Sequence, residues 1–336
     1  MLFFETILPS VIAVMTVFLF GCVGEIIMEK AGHLNLGIPG VMCFGTLGGC
    51  VGTSLIMSFY SDNPSSAPWI LVVLFAILFS ILFSSISGLI YAFLTVTLKC
   101  NQNVTGLALT TFGAGVVDFF MTMVDDTHFT QASRILSASL PYEGLGVFGK
   151  IFFSHGILVY LGIAIALVAF FILRKTKLGL SLRAIGENPG TADAAGINVN
   201  LYKYGAILTG SSIAGLGGLY YVMDFVGGSW ESSGTIQGFG WLAIALVIFC
   251  VWNPAIAIGG SFIFGLLYLL PRFVKGIDFT MMNVFGLFPY LFTIIVLVIT
   301  SILGKQTSVH KVKNNSRLKS SKEITRRSVQ PKNSLA

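Results

Sequence analysis

The chain has 336 residues, 55% of them hydrophobic and only 10% charged, whereas a soluble domain carries charge on roughly a quarter of its residues. Its apolar runs recur along most of the length and reach the roughly 20 residues that cross a hydrocarbon core, which excludes a single anchor joined to a soluble domain. The net charge of +6 sits mainly in the last residues, where Lys305, Lys311, Lys313, Arg317, Lys319, Lys322, Arg326, Arg327 and Lys332 face the lone acid Glu323; with no aromatic residues interleaved, this basic stretch does not read as a nucleic-acid surface.

Taken in order, hydropathy and the distance between charges predict an all-α polytopic membrane protein of about nine transmembrane helices, with a range of 8–10. The spans fall near 8–28, 36–59, 69–98, 104–124, 155–173, 205–226, 238–252, 255–272 and 285–303. The start, "MLFFETILPS", lacks a basic region ahead of its apolar run, so no removable signal peptide is expected. From Ser232 to Pro271 the chain carries no charge, too long a stretch for one crossing. It is expected to fold back at Trp252–Pro254, where Pro254 removes a donor and biases Asn253 out of helix. Residues 1–303 read as one membrane domain with a polar loop at 174–204, and residues 304–336 as a basic, disordered tail.

The distribution of Lys and Arg orients the chain. With the N-terminus outside, the inner loops collect Lys30, Lys99, Arg174, Lys175, Lys177, Arg183 and Lys203 together with the tail. The outer loops keep Arg134, Lys150, Lys275 and Arg272. The C-terminus is then cytoplasmic, as is the loop "RAIGENPGTADAAGINVN" beginning at Arg183.

Enzyme constellations are not found. "GLGVFGKI" at 144–151 has the spacing of a phosphate loop, but Ile151 stands where a metal-binding hydroxyl belongs, and the stretch is expected to be a flexible or amphipathic surface loop. His33, His128, His155 and His310 lack any ligand spacing and are expected to be solvated or interfacial. Cysteines 22, 43, 50, 100 and 250 are unclustered and read as small packing residues. Glu25, Asp118 and Asp224 lie near span ends, where an acid marks either a pathway or an interhelical hydrogen bond. Glycine-rich spans such as "GTLGGCVG" and "GSSIAGLGG" allow close helix packing.

Within the polar loop, Asn188 suits an N-cap, Pro189 the first helical position and Gly196 a left-handed helix end. The product is a short capped helix with a lone acid, Asp193, among small residues. Such an element fits a groove on another protein, or serves as an ordinary connector.

These same residues carry a resemblance. "RAIGENPGTADAAGINVNLYKYGAILTGSSIAGLGGLY", "GEIIMEKAGHLNLGIPG" and "GFGWLAIALVIFCVWNP" resemble, in order, segments of permease subunits in the ribose, galactose and nucleoside group of ATP-binding-cassette importers. The form of the loop followed by "YKY", and a start that resembles those permeases' second helix, favour the nucleoside branch. Pro39 and Cys250 depart from the usual pattern, which has Glu and Gly there, and Pro39 is expected to alter the start of the second span.

The resemblance implies a type II importer-like permease fold in the plasma membrane of a prokaryote. It also implies a second permease subunit, identical or not, and an extracytoplasmic substrate-binding protein. Separate ATPase subunits would bind ATP and Mg, so this chain would be no enzyme and hold no cofactor itself. Arg183, Glu187, Asn188, Pro189, Asp193 and Gly196 become candidates for coupling to the ATPase, and Asn35, Thr46, Thr105 and Thr110 for the substrate path. The implied function is import of nucleosides; the alternatives are a simple sugar such as ribose or galactose, or a secondary carrier without an ATPase.

Overall fold

The computed structural model describes residues 2–139, 144, 146–273 and, beyond them, 281, 284–285, 287–296 and 298. Two compact units are distinguished, Met1–Tyr290 and Leu291–Ala336. In the second, the described residues 291–296 and 298 are helical. The expected boundary at 303 and the basic tail lie outside the described residues.

The first unit is helical among its described residues. Its membrane helices are α1 (Leu2–Lys30), α2 (Ile38–Ser58), α3 (Trp69–Ala92) and α4 (Gln102–Met121), then α7 (Ile157–Lys175), α10 (Val199–Tyr220), α11 (Ser233–Phe249) and α12 (Pro254–Phe273). Between α4 and α7 lie α5 (Asp126–Leu136) and α6 (Gly146–Phe152), and between α7 and α10 lie α8 (Lys177–Glu187) and α9 (Pro189–Ala194). Seven of these helices are long and apolar enough to cross a membrane, and α11 is a shorter apolar helix. They match the first eight expected spans; of the ninth, expected at 285–303, the described residues 285, 288–296 and 298 are helical.

Helix ends follow local chemistry. Pro39 sits in the first turn of α2, where its missing N–H would have had no intrahelical acceptor, so the second span starts two residues after its expected first residue and is otherwise intact. α3 and α10 each finish in one π-helical turn, Phe93–Thr97 and Tyr221–Phe225. The expected corner before Pro254 is present: Val251 and Trp252 take left-handed backbone angles, φ 50° and 52°, which cost non-glycine residues energy.

Two elements depart from expectation. Residues 126–136, read as part of an outer loop, form α5, because Asp125 caps it by accepting from the Thr127 N–H and Phe129, Ala132, Ser133 and Leu136 face inward at helical spacing. The "GLGVFGKI" stretch is largely the helix α6 rather than a loop, and its Lys150 ammonium lies 3.7 Å from Glu5 at the start of α1.

Burial separates a centre from a rim. The most apolar windows of α1, α2 and α10 are 89%, 83% and 72% buried, against 28% for α3 and 33% for both α4 and α7. With lipid outside, packing rather than water exclusion holds such helices together, and small residues let backbones approach. α2 and α10 approach closely: a Cβ on Gly45 would stand 2.1 Å from the Gly215 carbonyl oxygen, and one on Gly218 2.0 Å from the Met42 carbonyl oxygen. α10 also shares a hydrogen bond with α3, between the Ser85 and Ser212 hydroxyls at 2.8 Å. Gly45→Ala should therefore separate α2 from α10 and destabilise the fold by about 1–3 kcal/mol, as overpacking does. Gly205→Ala, where a new methyl meets no atom within 4 Å, should be neutral; thermal unfolding of both variants in micelles is the measurement.

Candidate functional site

Hydrogen bonds sort the helix ends into two groups. At one end Thr97 and Tyr204 hydroxyls meet at 2.6 Å, the Trp252 indole N–H donates to the Glu29 carboxylate, and Gly32 lies against Gly186 of α8. This end carries Lys30, Lys99, Arg174, Lys175, Lys177, Arg183 and Lys203. At the other end Ser233 donates to Asp118 through its N–H at 2.9 Å and its hydroxyl at 2.6 Å, and the Thr130 hydroxyl donates to the Gly228 carbonyl at 2.8 Å. That end holds Arg134, Lys150 and, in the last turn of α12, Arg272.

The richer end is organised by the seven-residue connection "AGHLNLG" between α1 and α2. It is tucked inward, so its backbone groups need partners from protein. Asn35 N–H donates to Glu25 Oε1 at 2.7 Å, Leu34 N–H to Gln102 Oε1 at 3.1 Å and Gly37 N–H to Asn35 Oδ1 at 2.8 Å. The Leu34 carbonyl accepts from the Tyr91 hydroxyl at 2.7 Å, and the Leu36 carbonyl from the Thr110 hydroxyl at 3.0 Å. Side chains of α1, α3 and α4 thus converge on one short loop.

His33 in that loop is 1% exposed, which corrects the expectation of a solvated or interfacial residue. Burial pushes its imidazole down to about 4, and the Lys203 ammonium acts in the same direction. His155 is buried as well, and burial lowers it too.

Against this fixed end stand α8 and α9. Thr176 caps α8 by accepting from Gly179 N–H at 3.3 Å, and Gly186 near its end leaves room for the Lys30 carbonyl, 2.5 Å from where a Cβ would be. α9 is capped at both ends. Asn188 Oδ1 accepts from the Thr191 N–H at 3.1 Å. Gly196, at φ 82°, donates to the Asp193 carbonyl at 2.8 Å while Ile197 N–H reaches the Ala192 carbonyl at 3.1 Å, the paired bonds of a Schellman ending. Ala192 alone of α9 is buried. Arg183, Glu187, Asn188, Pro189, Asp193 and Gly196 are all exposed, and a polar groove of about 720 Å³ runs from α9 to Lys99.

The residues expected along a path lie deeper. Asn35, Thr105 and Thr110 come together where the α1–α2 loop meets the start of α4; all three are buried, and Thr105 donates to the Asn101 carbonyl at 2.8 Å. Thr46 is also buried, on the face of α2 that meets Gly218 of α10. Of the span-end acids, Glu25 and Asp118 bond to neighbouring backbone, and Asp224 lies beside Gly156.

The residues that sequence reasoning missed are Gln102, Tyr91 and Glu29, which hold the loop and the corner. The signal for them was faint: a polar side chain within the first or last turns of a span, with no hint of its partner.

The family model described as branched-chain amino acid transport system / permease component matches residues 7–300. NupC of Lactococcus lactis subsp. cremoris, a nucleoside ABC transporter permease protein, is 32% identical over 312 residues, covering 90% of this chain and 93% of that protein. NupQ of Bacillus subtilis, a guanosine ABC transporter permease protein, is 32% identical over 320 residues, covering 89% and 92%. TsgC13 of Haloferax volcanii, provisionally named a glucose ABC transporter permease protein, is 32% identical over 271 residues, covering 80% and 77%.

Two measurements test this geometry. Removing the cap with Asn188→Ala should cost α9 about 0.5–2 kcal/mol, read as faster amide exchange over 190–194 with α10 unchanged. An imidazole at about 4 against an ordinary 6.5 takes up its proton first in the unfolded chain, so its contribution to stability is complete above pH 6.5 and is lost as pH falls towards 4. His33→Gln should flatten that part of the melting-temperature profile.

Proposed function

This chain belongs to the family of the branched-chain amino acid transport system permease component, and on that premise we propose that it is the membrane subunit of an ATP-driven importer of nucleosides. The observation that carries the solute is the 32% identity to NupC and NupQ over nearly the whole of each chain. The identity to TsgC13 favours a simple sugar as the second reading.

In this reading the chain pairs with a second permease, receives solute from an extracytoplasmic binding protein and is driven by separate ATPase subunits that hold ATP and Mg. It resides in the plasma membrane of a prokaryote. The end rich in Lys and Arg is cytoplasmic by the positive-inside rule, which places the N-terminus outside; a ninth crossing then places the C-terminus inside.

The capped helix α9 is the part that an ATPase engages. Its exposed face offers backbone at Pro189 and Gly190 with Asp193 as the one charge, while Arg183 and Glu187 on α8 supply polar contacts. Asn188 and Gly196 fix the two ends, so α9 moves as a rigid piece. Through Gly186 against Gly32, a push on α8 reaches the α1–α2 loop, and from there α3 and α4. Asn35, Thr105 and Thr110 serve the path by holding that loop, and Thr46 lies along it between α2 and α10.

The test is the reconstituted assembly. Nucleoside uptake should require ATP, and Glu187→Lys combined with Asp193→Lys should remove most of the solute-stimulated ATP hydrolysis while the subunit still inserts and folds. Uptake that persists without ATP while an ion gradient is held would sink the importer reading.

A further inference from the structure

At the end of the bundle opposite α9, the π-helical turn Tyr221–Phe225, the loop after it and the facing sides of α11 and α12 enclose a cavity of about 390 Å³. That volume lies within the roughly 300–1,000 Å³ of small-molecule sites. One wall is aromatic: Tyr221, Phe225, Trp230, Phe239 and Tyr268. Phe239 is buried and joins the rings, with centroids 5.2 Å from Tyr221, 6.1 Å from Phe225 and 5.1 Å from Tyr268. A π-helical turn brings residues four apart nearly into line, so Tyr221 and Phe225 present their rings together, 5.9 Å apart; such turns recur at functional sites.

The rest of the lining is mostly polar. Glu231 contributes a carboxylate, and Ser232 and Thr235 contribute hydroxyls, all on exposed residues. No Lys or Arg is among the residues lining the cavity, so it offers no partner for a phosphate or for the carboxylate of an amino acid. It suits a neutral solute with one flat face and several hydroxyls. Nucleic-acid bases stack on aromatic side chains, and a carboxylate is the usual acceptor for ribose hydroxyls.

We propose that this aromatic cup is an entry-side binding site for a nucleoside, with the base against the rings and the ribose hydroxyls at Glu231, Ser232 and Thr235. The proposal rests on the importer reading above and adds where on this chain the solute is first held. Aromatic residues also collect at membrane–water interfaces for anchoring alone. These rings differ in lining a cavity between α10, α11 and α12 and in sharing it with a carboxylate.

The experiment uses the complete reconstituted complex with its binding protein and an azido-substituted purine nucleoside as photolabel. Label should map to residues 225–235 or to Tyr268, and unlabelled nucleoside should protect while ribose and glucose do not. Trp230→Ala and Glu231→Gln should each lower labelling and uptake by about 10-fold, the scale of losing one stacking or hydrogen-bonding partner. Basal ATP hydrolysis should be unchanged, and Trp230→Phe should recover most of the uptake. Label elsewhere, equal protection by ribose or glucose, or variants that transport normally would overturn the site while wild-type nucleoside uptake keeps the importer reading standing. A wild-type complex that hydrolyses ATP but takes up no nucleoside would overturn both.

Discussion

A backbone that turns inside a membrane protein must find every hydrogen-bond partner within the protein, and the connection between α1 and α2 shows how that demand shapes this molecule. Seven residues pass from Lys30 to Ile38, with His33 and Asn35 buried. Their N–H and carbonyl groups are met by Glu25, Tyr91, Gln102 and Thr110, which belong to three helices. Moving any of these helices alone breaks at least one of these bonds, so the three helix ends are tied together through the loop. The same economy holds at the opposite end, where Asp118 satisfies both donors of Ser233 and so caps α11 from another helix.

This rigidity gives the short helix α9 its meaning. A six-residue helix with one buried side chain has little stability of its own, and its shape depends on Asn188 and on the left-handed Gly196. It is seated on α8, whose Gly186 touches the loop just described. An exposed, pre-shaped element is therefore seated beside the loop whose backbone is held from three helices. The two ends also differ in chemistry: one is basic and polar, the other acidic and aromatic around a cavity.

The legibility of the sequence varied with the reach of each signal. α9 was readable to the residue because Asn188, Pro189 and Gly196 act on backbone within a few positions of themselves. The corner at Trp252–Pro254 was readable for the same reason, although the partner that secures it, Glu29, is distant in sequence. α5 was passed over because its polar composition hid a cap and an inward stripe, Asp125 followed by Phe129, Ala132 and Leu136. His33 was expected at a surface because nothing within the loop reveals that four polar side chains from elsewhere draw it inward.

By itself, then, the amino-acid order determined what depends on neighbours along the chain: an all-helical membrane protein, the first eight spans, the cap chemistry of α9 and the turn before Pro254. Run length, proline and capping side chains act over a few residues, so no knowledge of the rest is needed. Tertiary structure decided which helices form the centre, which glycines meet, and that Tyr221, Phe239 and Tyr268 from three helices share one cavity. Those outcomes depend on how each helix is rotated about its axis and which neighbour it meets. In uniformly apolar spans the hydropathy pattern is nearly the same all round, and it leaves that rotation to packing.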